Sequence, residues 1–163
     1  MENKTYTFSG IPQNVSQLSA LPEAALASPF QAAALTVVAL CRYCQSTQDG
    51  IDMLNFLKGP QPLSPYEKQF LRDRLSGKAY LPFSFFAGSS VQNNYTPTMP
   101  YTITIKDDPY TYAEDGYAKL QIQSSGADLV RPVKLRRKGN QWFLWEQFLL
   151  SSIREPAAND PWA

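Results

Sequence analysis

Cys41-Arg42-Tyr43-Cys44 has the two-residue spacing of a dithiol redox pair or of half a zinc site. A redox pair works from a helix N-terminus, where the dipole lowers the thiol pKa. Here the motif falls toward the C-terminal end of an apolar helical run, which favours the thiol. The chain holds no other cysteine to complete a four-sulfur zinc site, so the pair reads as small buried hydrophobes. Asp107-Asp108 and Glu114-Asp115 bracket Pro109-Tyr110-Thr111-Tyr112, and two carboxylate pairs on neighbouring turns could hold a hard cation or act as acid and base. Asp-Pro and Asp-Gly are equally turn chemistry, and no calcium-loop spacing is present.

The sequence contains no histidine. That removes the commonest general base near neutral pH, the Ser-His and Cys-His nucleophile pairs and the commonest metal ligand. An enzyme built on this chain would use Asp, Glu, Tyr or Lys, and no motif names one of them as catalytic. No pattern calls for a cofactor or a metal. Lys134, Arg136 and Lys138 alternate along one strand face, where Lys106 and Lys119 can join them as a local basic patch. Formal net charge is only +1, and no nucleic-acid module is recognisable, so the patch reads as a solvated face that discourages edge pairing.

These residues must be positioned by a folded chain. At 163 residues, 44% hydrophobic and 13% aromatic against 18% charged, the sequence can bury a substantial core. It predicts one α+β domain over residues 1–163: a helical half at about 14–77, an aromatic and proline-rich connection at 78–100, a sheet at 101–150 and a tail at 151–163. No signal peptide is recognisable at the N-terminus, and the apolar stretch from Ala32 to Cys41 is too short to span a bilayer. A reducing cytoplasm is the expected location, with no membrane partner.

Tyr6-Thr7-Phe8 reads as a short extended lead, and Val15, Leu18 and Leu21 as a short helix. Ser28-Pro29 starts the central helix through Phe30, Ala33, Val37 and Cys41. Asp49 is expected to cap a second helix that stops at Gly59-Pro60. Ser64-Pro65-Tyr66-Glu67 is a capping box for a third. Tyr101–Ile105 and Ala118–Gln123 alternate with the period of half-buried strands, and Gly139-Asn140 closes a hairpin between 129–138 and 141–150. The expected sheet is a curved four-stranded antiparallel meander after the helices.

The last of those strands is apolar on both faces: Trp142, Leu144, Phe148 and Leu150 on one, Phe143, Trp145 and Leu149 on the other. Its second face needs cover from the aromatic segment Tyr80–Phe86, from a second copy, or from a ligand. Trp162, in a polar tail with Asp160 and Pro161, either docks back on the body or meets a partner, and docking is the favoured reading.

The order of elements reaching Trp142-Phe143-Leu144-Trp145 resembles the cystatin-like and NTF2-like folds, in which helices pack on a strongly bent antiparallel sheet. Tyr95-Thr96-Pro97, Pro100-Tyr101, Lys138-Gly139-Asn140-Gln141-Trp142, Arg154-Glu155-Pro156 and Asp160-Pro161-Trp162 resemble an uncharacterised family of bacterial domains of unknown function. That resemblance implies a bacterial cytoplasmic domain and transfers no catalytic residue. Two function classes follow. One is a non-catalytic interaction or assembly domain, a homo-oligomer or protein partner meeting it through the sheet. The other is a small-ligand binder with a cavity between helices and sheet lined by Tyr80, Phe83, Phe85, Trp142 and Trp145; nucleic-acid binding through Lys134, Arg136 and Lys138 ranks far behind both.

Overall fold

The first ordered element is a strand, β1 (Asn3–Phe8), and it precedes every helix. A computed structural model describes residues 2–162; residues 1 and 163, the ends of the expected domain, lie outside them. After β1 come the short helix α1 (Val15–Ser19), a 3-10 turn at Pro22–Ala25, and the helices α2 (Pro29–Gln45), α3 (Thr47–Lys58) and α4 (Pro65–Leu75). A second 3-10 turn at Pro82–Phe85 opens the long connection to β2 (Tyr101–Lys106), β3 (Tyr117–Ile122), β4 (Arg131–Lys138) and β5 (Gln141–Gln147).

All neighbouring strands are antiparallel and lie in sequence order, β1-β2-β3-β4-β5. The sheet therefore has five strands where the sequence predicts four, and the helices are inserted between the first strand and the rest. The additional strand is the expected short lead at Tyr6-Thr7-Phe8, extended back to Asn3 and paired along its whole length, from Asn3 opposite Lys106 to Phe8 opposite Tyr101. Only Phe8 is fully buried in β1. An edge strand covered on one side needs few apolar residues, so alternation carries little trace of it.

Between β2 and β3 the pairing narrows to one position, Lys106 opposite Gln121. A sheet joined so narrowly there can fold its two parts around a helix, and α2 occupies that place. Thirteen of its seventeen residues are buried, so α2 must be covered on every side. The inner faces of β2 to β5 cover one side and α3 the other. The helix starts where the sequence predicts: Ser28 accepts the Gln31 N–H at 3.4 Å and Pro29 fixes the first turn. Its buried Thr36 hydroxyl is satisfied by the Ala32 carbonyl at 2.8 Å. α3 crosses it closely at Gly50, where any side chain would overlap the Tyr43 main chain.

Two local expectations change. The N-cap of α3 is Ser46, not Asp49, which sits inside the first turn and accepts from the Ser46 hydroxyl at 2.8 Å. The two-faced strand expected over 141–150 carries a bulge: Lys134 faces Glu146 but Leu135 faces Leu144, leaving Trp145 as the extra residue. The strand ends at Gln147, so Phe148 emerges 44% exposed while Leu149 and Leu150 are both buried. A continuous core runs from Phe8 to Ile153. No helix among the described residues is long and apolar enough to cross a membrane.

Candidate functional site

Leu54 and Lys58 stand one turn apart on α3, so a lysine occupies the stripe that faces the core. Its side chain is only 5% exposed. A buried ammonium needs partners. The Glu67 carboxylate meets it at 2.8 Å, and it donates to the main-chain oxygen of Trp145 at 3.2 Å. Glu67 closes the α4 capping box from the third helical position: its other oxygen accepts the Ser64 N–H at 3.0 Å, and Ser64 Oγ accepts the Glu67 N–H at 3.1 Å. Burial pushes the Glu67 pKa up, but the Lys58 hydrogen bond, the Ser64 N–H and the Lys58 charge outweigh it and hold the carboxyl below its ordinary value.

Gly59 ends α3 with φ of 65°. Its position leaves no room for a Cβ, because the ring of Phe143 lies against it. The turn at Gly59-Pro60 thus covers part of the outer face of β5. Trp145 is covered differently: the Arg136 guanidinium lies 4.7 Å from its ring centroid and 5.4 Å from that of Tyr117, and the two aromatic rings meet edge-on at 5.8 Å.

Two grooves open on either side of Lys58 and Trp145. The first, about 230 Å³, lies between α4 and β5 and is mainly apolar, with Leu63, Tyr66, Phe70, Leu144 and Phe148 in its walls and the carboxylates of Glu67 and Glu146 among them. Tyr66, 79% exposed, and Phe148 form an open aromatic rim. The second, about 330 Å³, lies between the Pro60-Gln61 turn and the β4–β5 hairpin. Its walls carry Arg136, Arg137, Lys138 and Lys58 with Phe143 and Trp145, and no carboxylate. Lys58, Leu144 and Trp145 line both. The β5 main chain beside them is engaged: the Trp142 N–H donates to Leu26 O at 2.9 Å and the Trp145 carbonyl accepts from Lys58. The pair is therefore built to take side chains, and addition of a further strand at these positions is blocked.

The aromatic residues singled out from the sequence are distributed over the molecule. Tyr80 stacks on Tyr95 at 5.5 Å, Phe83 packs 6.3 Å from Tyr101, and Phe85 is buried in the core. Trp142, on β5, lies 6.3 Å from Tyr112 of the β2–β3 connection, while Trp145 belongs to the grooves. Between helices and sheet, where the small-ligand reading expects a cavity lined by all five, α2 packs on β2 to β5 with most of its residues buried. Trp162 is 93% exposed and rests on nothing, contrary to the favoured docking on the body.

Of the basic residues, Arg136 and Lys138 line the second groove. Lys134 stands opposite Lys119 on β3 and is held by Glu114 at 2.7 Å over the Tyr117 ring. Lys106 lies opposite Gln121. Asp108 accepts the Tyr110 N–H at 2.8 Å, the work of a turn residue, while Asp107 accepts the Glu2 N–H at 2.7 Å across the end of the β1–β2 pair. Among the described residues no group of three or more cysteines or carboxylates could hold a metal ion. Cys41 and Cys44 are free thiols near the end of α2; burial raises Cys41 well above its ordinary pKa and pushes Cys44 up to about 12.

Sequence reasoning missed Tyr66, Phe70 and Arg137 in the groove walls and, at their divide, Lys58 and Glu67. Glu67 is legible as a cap, but nothing local shows that it also neutralises a neighbour. The available signal was Lys58 itself, a charge at the position four after Leu54 on the buried stripe of an amphipathic helix.

A family model described as "Domain of unknown function (DUF6935)" matches residues 10–157. The chain belongs to this family of domains of unknown function. No curated protein and no solved structure matches it.

Proposed function

We propose that this member of the DUF6935 family is a non-catalytic protein-interaction domain whose contact surface is the groove pair beside β5. The observation that carries the reading is the juxtaposition itself, an apolar groove with an aromatic rim running into a basic groove that contains no carboxylate. Such a surface fits a polypeptide segment that presents one large apolar side chain next to carboxylates. The whole chain is the functional unit in this reading, supported by its continuous core. The free thiols, Cys41 buried and Cys44 half-buried, support a reducing compartment, the bacterial cytoplasm. A cystatin-like or NTF2-like architecture is the fold reading that goes with it, supported by a long helix held in the bend of an antiparallel sheet.

The test is fluorescence anisotropy of a labelled acidic peptide carrying one tryptophan, against a control in which lysines replace its acids. Saturable binding of the acidic peptide, weakened at least tenfold in the Arg136→Glu/Lys138→Glu variant, is the expected result. Equal binding of both peptides, or of neither, rejects the reading. A second reading, a small anionic ligand with a flat ring, is favoured by the 330 Å³ groove with Phe143 and Trp145 beside its cations. It predicts that a small aromatic phosphate competes the peptide away.

A further inference from the structure

Trp162 is the most exposed large apolar side chain among the described residues. It is also held in a defined setting. Pro156 is buried, Ala157 N–H donates to Val91 O at 2.9 Å and Ala158 N–H to Asn94 Oδ1 at 2.8 Å, so the base of the tail is pinned to the long connection between α4 and β2. Beyond that anchor the Asp160 N–H returns to Ala157 O at 3.0 Å, and Asp160 Oδ1 accepts the Trp162 N–H at 2.8 Å. The result is a tight turn that presents an indole next to a carboxylate. Glu155 adds a second exposed carboxylate at its base, and neither acid is ion-paired among the described residues.

The tail and the groove pair have complementary chemistry. One surface offers an indole flanked by acids; the other offers a mainly apolar groove of about 230 Å³, room for one large aromatic side chain, whose walls also hold Glu146 and the Lys58-paired Glu67, and which runs into the carboxylate-free groove lined by Arg136, Arg137 and Lys138. No residue beyond Phe148 lines either groove, so the tail of the same chain does not occupy them. Because the tail is already ordered by its own hydrogen bonds, docking it costs little further chain entropy.

We infer that the groove pair receives the 155–162 tail of a second copy of this chain, with Trp162 between α4 and β5 and the carboxylates of Asp160 and Glu155 on the hairpin cations. This rests on the interaction reading above and names its partner. The contact joins unlike surfaces, so it is head-to-tail: each copy offers one tail and one groove, and association continues into a ring or a chain.

Sedimentation velocity on the full chain, from low micromolar to near millimolar concentration, reads it directly. Wild type is expected to form concentration-dependent oligomers that weaken with salt. Trp162→Ala, at a fully exposed side chain, keeps its thermal unfolding midpoint and stays monomeric. Arg136→Glu/Lys138→Glu also stays monomeric, and a mixture of the two variants stops at a heterodimer, since one supplies only the tail and the other only the groove. Monomeric wild type throughout, oligomers that survive Trp162→Ala, or a mixture that remains monomeric each overturns the inference. The labelled peptide of residues 155–162 separates the two levels. If monomeric wild type rejects it but binds the acidic tryptophan peptide, the interaction reading stands and the second-copy partner falls; if it binds neither, both fall.

Discussion

The ammonium of Lys58 donates to the carbonyl of Trp145 at 3.2 Å, tying the last turn of α3 to the bulged residue of β5. The same ammonium holds Glu67 at 2.8 Å, so one buried charge joins α3, α4 and the sheet and forms the divide between the two grooves. The bulge places the Trp145 indole beside Arg136, while its carbonyl turns toward Lys58.

Removing this charge should loosen three elements at once. Lys58→Ala is expected to cost about 2 kcal/mol in urea unfolding, less than a fully buried ion pair because Glu67 is partly open to water. Lys58→Met keeps the packed stem and should recover part of that loss. A variant as stable as wild type would show that the ammonium is not holding the three elements together.

Glu67 also sets a pH dependence. Its folded-state pKa lies below the ordinary 4.5, so it contributes stability that is fully present above that pH and is lost as the pH falls toward the lower folded value. Glu67→Gln removes the titration, and its stability deficit relative to wild type should therefore shrink on acidification from pH 7. Unfolding curves at stepped pH measure this; a deficit that stays constant or grows in acid contradicts the assigned direction.

Gly59 is required by conformation and by contact, since it takes φ of 65° and the Phe143 ring fills the space of a Cβ. Gly59→Ala is expected to destabilise by roughly 2 kcal/mol or more, combining left-handed strain with displacement of the ring. The change should be visible in the near-ultraviolet circular dichroism of the aromatic groups beside it. Gly139, also at positive φ but with open space around it, is the control and should lose clearly less with the same substitution.

Tyr95 links the long connection to the tail. Its hydroxyl donates to Arg154 O at 2.6 Å from a side chain that is 2% exposed. Tyr95→Phe should cost about 1 kcal/mol and speed limited proteolysis after Arg154, with cleavage elsewhere unchanged. Uniformly faster cleavage would mean that the hydroxyl supports the whole fold and not the tail.

Much of the secondary structure is legible because its signals are local. Ser28-Pro29 and Ser64-Pro65-Tyr66-Glu67 satisfy orphan N–H groups within three residues, and both helices start there. Gly139 supplies a positive φ, and the hairpin turns between Lys138 and Gln141 as expected. Cover for the outer face of β5 was also legible as a need, because apolar residues on both faces of a strand require it.

What covers that face was decided by contacts far apart in sequence. The Gly59 turn reaches Phe143, Tyr117 and Arg136 reach Trp145, and Lys58 reaches the Trp145 carbonyl. The fifth strand is of the same kind, since Asn3 finds its partner at Lys106 through main-chain bonds that any sequence can make. By itself the sequence determined where α2 and α4 begin, where the hairpin turns and that no histidine chemistry operates. Only the tertiary structure decided which buried lysine meets which carboxylate and how two grooves come to share Trp145, because a side chain's partner depends on where distant segments pack and not on its neighbours along the chain.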